Sequence, residues 1–347
     1  MHNQIEIYSI RMRTLFTVFF CFVYLTHYSF TSMKKQIDPP LMKLSVIFDT
    51  DANNELDDQH ALAYLLMSGE DFDVKGVTVN ATNNGGDIDE HYKEAERIIK
   101  LCDLYKKVPL IIGANDNFEN IKKDIDLPKF DGYNAVNFII EQAKTHIDTK
   151  LIIIAVGKLT NVALALKKDP TISKNIRLVW LGSNYPEPGE YNLENDIPAM
   201  NYLLRSDLHF EIVTVRYGKT TGTDAVRVTK EDSKKMAGLG PQISEAVIGR
   251  HGGEYKNFGD YSVNLFNNIN YHGDPPSRAL FDMAAVAIVK NPDWAESRHV
   301  SSSKMVNKKW IEQPNNPRKL IIWESFEVNK ILSDFYCTMK NYVLVDQ

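Results

Sequence analysis

The chain has 347 residues, 44% of them hydrophobic and 24% charged, with a formal net charge of −5. That length holds one large α/β domain or two smaller ones around a substantial core. A mildly acidic chain without a basic stripe has no electrostatic support for binding nucleic acid, so a small molecule is the expected partner.

The chain opens on a segment that does not belong to a fold. Arg11 and Arg13 precede an apolar run at residues 15–25 (LFTVFFCFVYL), followed by the more polar THYSFTS. This is the order of a secretory signal. The run is too short to span a bilayer comfortably, so no stable membrane span is expected. Residues 1–32 are read as a signal peptide, the protein as exported (periplasmic or secreted), and residues 41–347 as the folded domain. Translation from Met33 gives a cytoplasmic protein instead. N-terminal sequencing of the mature protein checks cleavage; a mature chain that starts before Arg13 contradicts it. Cys102 and Cys337 then remain, as one bridge or as two separate thiols.

Residues 44–48 form a short apolar run that reads as a buried parallel strand. It ends abruptly in Asp49, Asp51, Asp57 and Asp58, with Glu55 among them. Carboxylates crowded into one strand-to-helix turn repel one another unless some take up protons or a cation joins them. Oxygen ligands without Cys or His point to Ca²⁺ or Mg²⁺ rather than zinc. The alternative is a solvated acidic loop before a helix N-terminus.

An apolar helix follows at 59–67, then a strand at 72–79 running into NATNNGGD, whose glycines and asparagines mark a turn or a close approach to a ligand. Residues 88–105 read as an amphipathic helix, 108–112 as a buried strand and 135–146 as a helix. Residues 150–156 (KLIIIAV) are another buried strand, ending in Gly157, before a helix that Thr160 and Asn161 open. Strands at 177–181 and 208–215 flank the loop SNYPEPGEYNLENDIPAM. This strand-then-helix rhythm predicts an α/β single domain with a mainly parallel central sheet flanked by helices. Residues 219–277 are expected to form a helical lid over the site. Residues 279–289 (ALFDMAAVAIV) read as an apolar helix whose one charge, Asp282, needs a metal or another partner. The remainder reads as a peripheral strand pair and a closing helix.

Three segments in this order, DTDANNELDD, KLTNVALAL and GEYNLENDIPA, resemble the inosine-uridine nucleoside hydrolase family, which cleaves the N-glycosidic bond of ribonucleosides. The likeness runs over residues 44–289. The usual first motif of that family is DxDPGxDD; here two more residues sit in the turn, so Asp57 and Asp58 match its terminal pair. The resemblance implies Asp51 as metal-bound catalytic base and Asp58 as bidentate Ca²⁺ ligand. It implies a backbone carbonyl ligand at Val156, and Asp282 as the last carboxylate ligand. Asp57, Asn83, Asn184, Glu190 and Asn192 fall where the family grips the ribose, and Asp49 where it supports the site. It also implies a homodimer or homotetramer.

One departure shapes the expected substrate. Where many members carry His directly before the last Asp, this chain has Phe281. Phe281, with Tyr185 or a lid aromatic, is then expected to stack the base, which favours purine nucleosides; His272 is a substitute acid. The competing readings are a catalytically idle nucleoside- or ribose-binding protein and a hydrolase of another N-riboside. The likeness of VIFDTDA to haloacid dehalogenase-type phosphatases is superficial, because Asn53 stands where those carry Thr or Val.

Overall fold

The structure, a computed structural model, describes residues 42–345. The signal-peptide reading of residues 1–32 lies outside them. Six parallel strands carry the architecture: β1 (Leu44–Thr50), β2 (Phe72–Val79), β3 (Leu110–Ile112), β4 (Leu151–Ala155), β5 (Ile176–Leu181) and β6 (His209–Val213). They lie in the order β6-β5-β4-β1-β2-β3. The central strands β1 and β4 are apolar on both faces because each face meets its own core. On β1, Val46 and Phe48 enter one core and Ile47 the other; on β4, Ile152 and Ile154 part from Leu151, Ile153 and Ala155 in the same way. Alternation with a period of two thus splits one apolar run between two helical layers. The mainly parallel sheet flanked by helices is as expected.

Three elements differ from the sequence reading. The C-terminal strand pair is not peripheral but extends the central sheet: Lys319–Glu324 pairs parallel with β6, and Glu296–Ser301 pairs antiparallel with it to form the edge. Leu320, Ile322 and Trp323 are buried there. Glu211 on β6 ties the junction, accepting hydrogen bonds from Arg177 Nε at 2.6 Å and Trp323 Nε1 at 2.7 Å, and pairing with His209 at 2.7 Å. Burial by itself raises a carboxyl's pKa, but these partners reverse the effect and hold Glu211 at about 2.

The segment at 219–277 is less helical than expected. It contains the helix Phe258–Asn267 and a four-residue helix, Lys230–Ser233, among short strands. Two of these, Arg227–Thr229 and Ser277–Ala279, pair antiparallel. The apolar stretch at 279–289 is also divided, with the helix confined to Met283–Lys290 and Asp282 placed at its N-cap. Asp282 therefore sits at an end where helical N–H groups are free rather than inside a helix. Lys43 onward forms one compact unit. No helix among the described residues is long and apolar enough to cross a membrane.

Candidate active site

The carboxyl ends of the parallel strands hold a cavity of about 400 Å³. This is the side of an open α/β sheet where ligands collect. β1 delivers the first acids. Asp49 stays within the strand, turned into a nest of donors: Thr78 Oγ1 at 2.6 Å, Asn161 Nδ2 at 2.8 Å and Asn80 Nδ2 at 3.1 Å. Burial nonetheless raises its pKa to about 7. Asp49 does not line the cavity; it fixes the strand end beneath Asp51.

Asp51 is buried and lines the cavity. Thr82 Oγ1 donates to its Oδ2, while Oδ1 has no partner. Gly157 leaves room for that oxygen, since a Cβ there would lie 2.9 Å from Asp51 Oδ1. The turn that follows is long but firmly held. Asn53 N donates to His91 Nδ1 at 3.2 Å, and Asn53 Nδ2 donates to the Gly85 carbonyl at 2.6 Å. Gly85 has φ of +86°, and a Cβ there would meet Asn53 O at 2.6 Å, which is why the NNGGD loop carries glycine at this point. Glu55 is fixed at both ends: its carbonyl accepts from Arg250 at 3.3 Å, and its carboxylate pairs with Arg278.

The helix Asp57–Leu66 begins at the far side of this turn, without a side-chain cap on its N-terminus. Its first two residues converge with Asp282: carboxylate oxygens of Asp57, Asp58 and Asp282 all lie within 4.8 Å of one another, and all three residues are buried. Thr50 Oγ1 donates to Asp58 Oδ1 at 2.5 Å. Burial, then the neighbouring charge of Asp51, raises Asp57 to about 7. Burial and mutual repulsion push Asp58 and Asp282 well above the usual carboxylate range. Three buried carboxylates, and the orphaned oxygen of Asp51 beside them, are a donor set that suits a hard divalent ion. The triad includes Asp57, which the resemblance had placed on the sugar rather than the metal.

The loop after β5 supplies the next wall. Glu190 lines the cavity, with φ of 111°, a conformation that costs a non-glycine residue energy. Its carboxylate offsets that cost by accepting from Ser183 N at 2.7 Å and from Asn192 N and Leu193 N at 2.9 Å each. Burial raises it to about 7. Asn192 also lines the cavity, but its Nδ2 is spent on the carbonyls of Val156 at 2.7 Å and Leu181 at 3.2 Å, so only Oδ1 is left to accept from a ligand. Val156 lies in the lining as well.

Two of the expected sugar-binding residues do not line the cavity. Asn83 is exposed, and its neighbour Asn84 takes the lining position, its N donating to Tyr191 Oη at 2.8 Å. Asn184 is half-buried and works from behind: its Oδ1 accepts from Tyr217 N at 3.3 Å and its Nδ2 donates to Pro188 O at 3.4 Å. Tyr185 is corrected too, being buried edge-on against Trp310 at 5.2 Å rather than in the cavity. The aromatic partner of Phe281 is Tyr217, with ring centroids 5.8 Å apart and planes nearly perpendicular. Both rings line the cavity. Tyr217, Arg227 and Arg278 had no signal in the sequence beyond their residue type, since each comes from a different segment; Tyr191 lies between two expected residues in GEYNLENDIPA and was passed over. His272 also lines the cavity and is exposed.

The geometry has its counterparts. The family model for inosine-uridine preferring nucleoside hydrolases matches residues 46–324. A probable uridine nucleosidase 2 of Arabidopsis thaliana is 26% identical over 212 residues, 55% of this chain and 64% of that protein, so the chain spans less than two thirds of its curated relative. The structure of a plant nucleoside hydrolase superposes with a TM-score of 0.65 at 18% identity, covering 87% of this chain and 99% of that one. A purine-preferring ribonucleoside hydrolase from Gardnerella vaginalis gives 0.64 at 21% identity, with 85% and 98% covered. Those two likenesses speak for the fold. The family match runs from the strand that leads into Asp51 past Asp282 to the end of the added sheet strand, and on its extent the chain belongs to the inosine-uridine preferring nucleoside hydrolase family.

Proposed function

We propose that this protein hydrolyses the N-glycosidic bond of ribonucleosides to free base and ribose, with purine nucleosides favoured and Ca²⁺ as cofactor. The observation that carries the reading is the unpartnered Oδ1 of buried Asp51 beside the carboxylate triad in a cavity of nucleoside size. Asp57, Asp58, Asp282 and the carbonyl of Val156 would hold the ion, with Asp51 alongside. When bound, the ion gathers the ribose diol and lowers the pKa of water.

This chain's own residues account for the rest. Breaking the C1′–N bond builds positive charge on the ribose, so a base must take the proton of an attacking water on one face of the sugar. In this reading Asp51 Oδ1 takes that proton, and the hydrogen bond from Thr82 Oγ1 to the other oxygen restrains the carboxylate. Glu190 and Asn192 Oδ1 are the acceptors for the sugar hydroxyls. Phe281 and Tyr217 form an aromatic corner against which a base ring packs.

Purine preference rests on that corner, because a bicyclic base covers more of two rings than a pyrimidine does. The expected result is faster base release from inosine or guanosine than from uridine, by roughly the 10–200-fold that one to three kcal/mol of apolar contact supplies. Assay of free base and reducing sugar across a nucleoside panel in Ca²⁺ tests it. Comparable turnover of uridine and inosine contradicts the preference. Metal-dependent binding without release of base would mark a chain that keeps the sugar site alone.

A further inference from the structure

Phe281 stands where a histidine acid is expected, and besides His272 the cavity holds a second side chain suited to assist the departing base. Arg278 sits on the strand Ser277–Ala279, whose neighbours Ser277 and Ala279 are buried. Pairing of Arg278 with Val228 sets its place along the strand, and its side chain, 12% exposed, lines the cavity. One guanidinium nitrogen pairs with Glu55; Nη1 stands 3.5 Å from His272 Nε2, at the limit of a hydrogen bond, and buried Nε has no partner. A guanidinium has five N–H donors in one plane, so Arg278 keeps donors for a ligand. Arg227, the other arginine of the lining, is spent on Asp224 at 2.7 Å and on Ser277 Oγ and O at 2.9 and 3.1 Å.

Glu55, which aims Arg278, belongs to the turn that is two residues longer than the family pattern. The longer turn and the arginine form one device. Resting on the hydrolase reading, we propose that Arg278, positioned by Glu55, donates hydrogen bonds to the N7 and O6 edge of a departing 6-oxopurine. Arginine meets that pair of acceptors bidentately. As the C1′–N9 bond breaks, its electron pair passes to the purine ring, and N7 and O6 gain charge. The guanidinium stabilises that charge without giving up its own proton; the water that attacks C1′ leaves one proton on Asp51, and solvent returns a proton to the base. Such bonds strengthen only as the bond breaks, so they act on rate. The carboxylate partners of both arginines, and the other acids of the lining, disfavour a phosphate in the same place. Adenosine, whose N6 amino group is a donor facing the guanidinium, is disfavoured as well.

The test compares inosine, adenosine and p-nitrophenyl riboside, whose leaving group departs without help, in wild type, Arg278→Met, Arg278→Lys and Glu55→Gln. Expected for Arg278→Met is a loss of kcat on inosine of roughly 10²–10³-fold, with the nitrophenyl riboside changed only a few-fold and the inosine preference over adenosine collapsed. Arg278→Lys recovers part of the inosine rate, and Glu55→Gln shows a weaker form of the same split. An equal fall on inosine and nitrophenyl riboside, or an unchanged inosine rate, overturns the assignment while leaving the hydrolase intact. A wild-type protein that hydrolyses neither overturns the hydrolase reading and this assignment with it.

Discussion

Asp51→Asn is expected to reduce base release from the preferred nucleoside by roughly 10²–10⁴-fold, the usual worth of a positioned general base, while leaving the protein folded. The substitution removes an acceptor for one proton and little else. An asparagine Oδ1 can still accept from Thr82 Oγ1, and the amide nitrogen would replace the oxygen that has no protein partner and faces the acids. Removing one charge from a group of buried carboxylates also relieves repulsion, which Asp57, Asp58 and Asp282 all register from Asp51. The variant's thermal midpoint without metal should therefore equal or exceed that of wild type. Thr82→Val supplies the graded companion: it frees the Asp51 carboxylate to rotate without deleting it, and a smaller loss in kcat is expected. Retention of more than a tenth of wild-type kcat by Asp51→Asn would remove Asp51 from the role of base and transfer the question to the carboxylates of the triad.

The contrast between Asp51 and Asn184 shows what the sequence discloses and what it withholds. Asp51 follows an apolar strand directly, so its position at the strand's carboxyl end follows from the run of residues 44–48, and the structure brings it to the cavity with Asp58 and Asp282. Asn83 and Asn184 rest on the resemblance to the family's loops, and a matched loop position does not say which way a side chain turns. Asn83 stays out of the lining and Asn84 takes its place; Asn184 turns back to hold Tyr217 N. Arg278 falls between two readings, the lid at 219–277 and the helix at 279–289, and neither discloses the short strand Ser277–Ala279 that carries it to the cavity. The C-terminal strand Lys319–Glu324 was undervalued for a different reason. The four apolar residues LIIW look like half of a surface hairpin until Glu211 and Trp323 join across the sheet.

The metal site carries the other large effect, and its sign depends on whether the ion is there. Glu190 and Asp57 have folded pKa values of about 7, against 4.5 and 3.8 for ordinary side chains, chiefly through burial. A carboxyl raised in this way binds a proton in the fold at a pH where the unfolded chain has lost it. Its contribution is present below the unfolded value and is lost as pH rises through the folded one. Without divalent ions the protein should thus lose stability between about pH 4 and pH 8 from these groups, the part of the curve below pH 7 included. A bound divalent ion takes the place of those protons and removes the repulsion, so saturating Ca²⁺ should raise stability most at pH 8, by about 2.7 kcal/mol at one hundred times Kd. Asp58→Asn should invert the comparison: more stable than wild type in chelator, because a buried charge is gone, yet without the rise on adding Ca²⁺ and without base release. Thermal unfolding of both proteins at pH 5 and pH 8, with chelator and with Ca²⁺, reads all of this in one series. A wild-type midpoint indifferent to Ca²⁺ at pH 8 would mean that the triad of Asp57, Asp58 and Asp282 keeps its protons and holds no ion, and hydrolysis would then have to be sought without one.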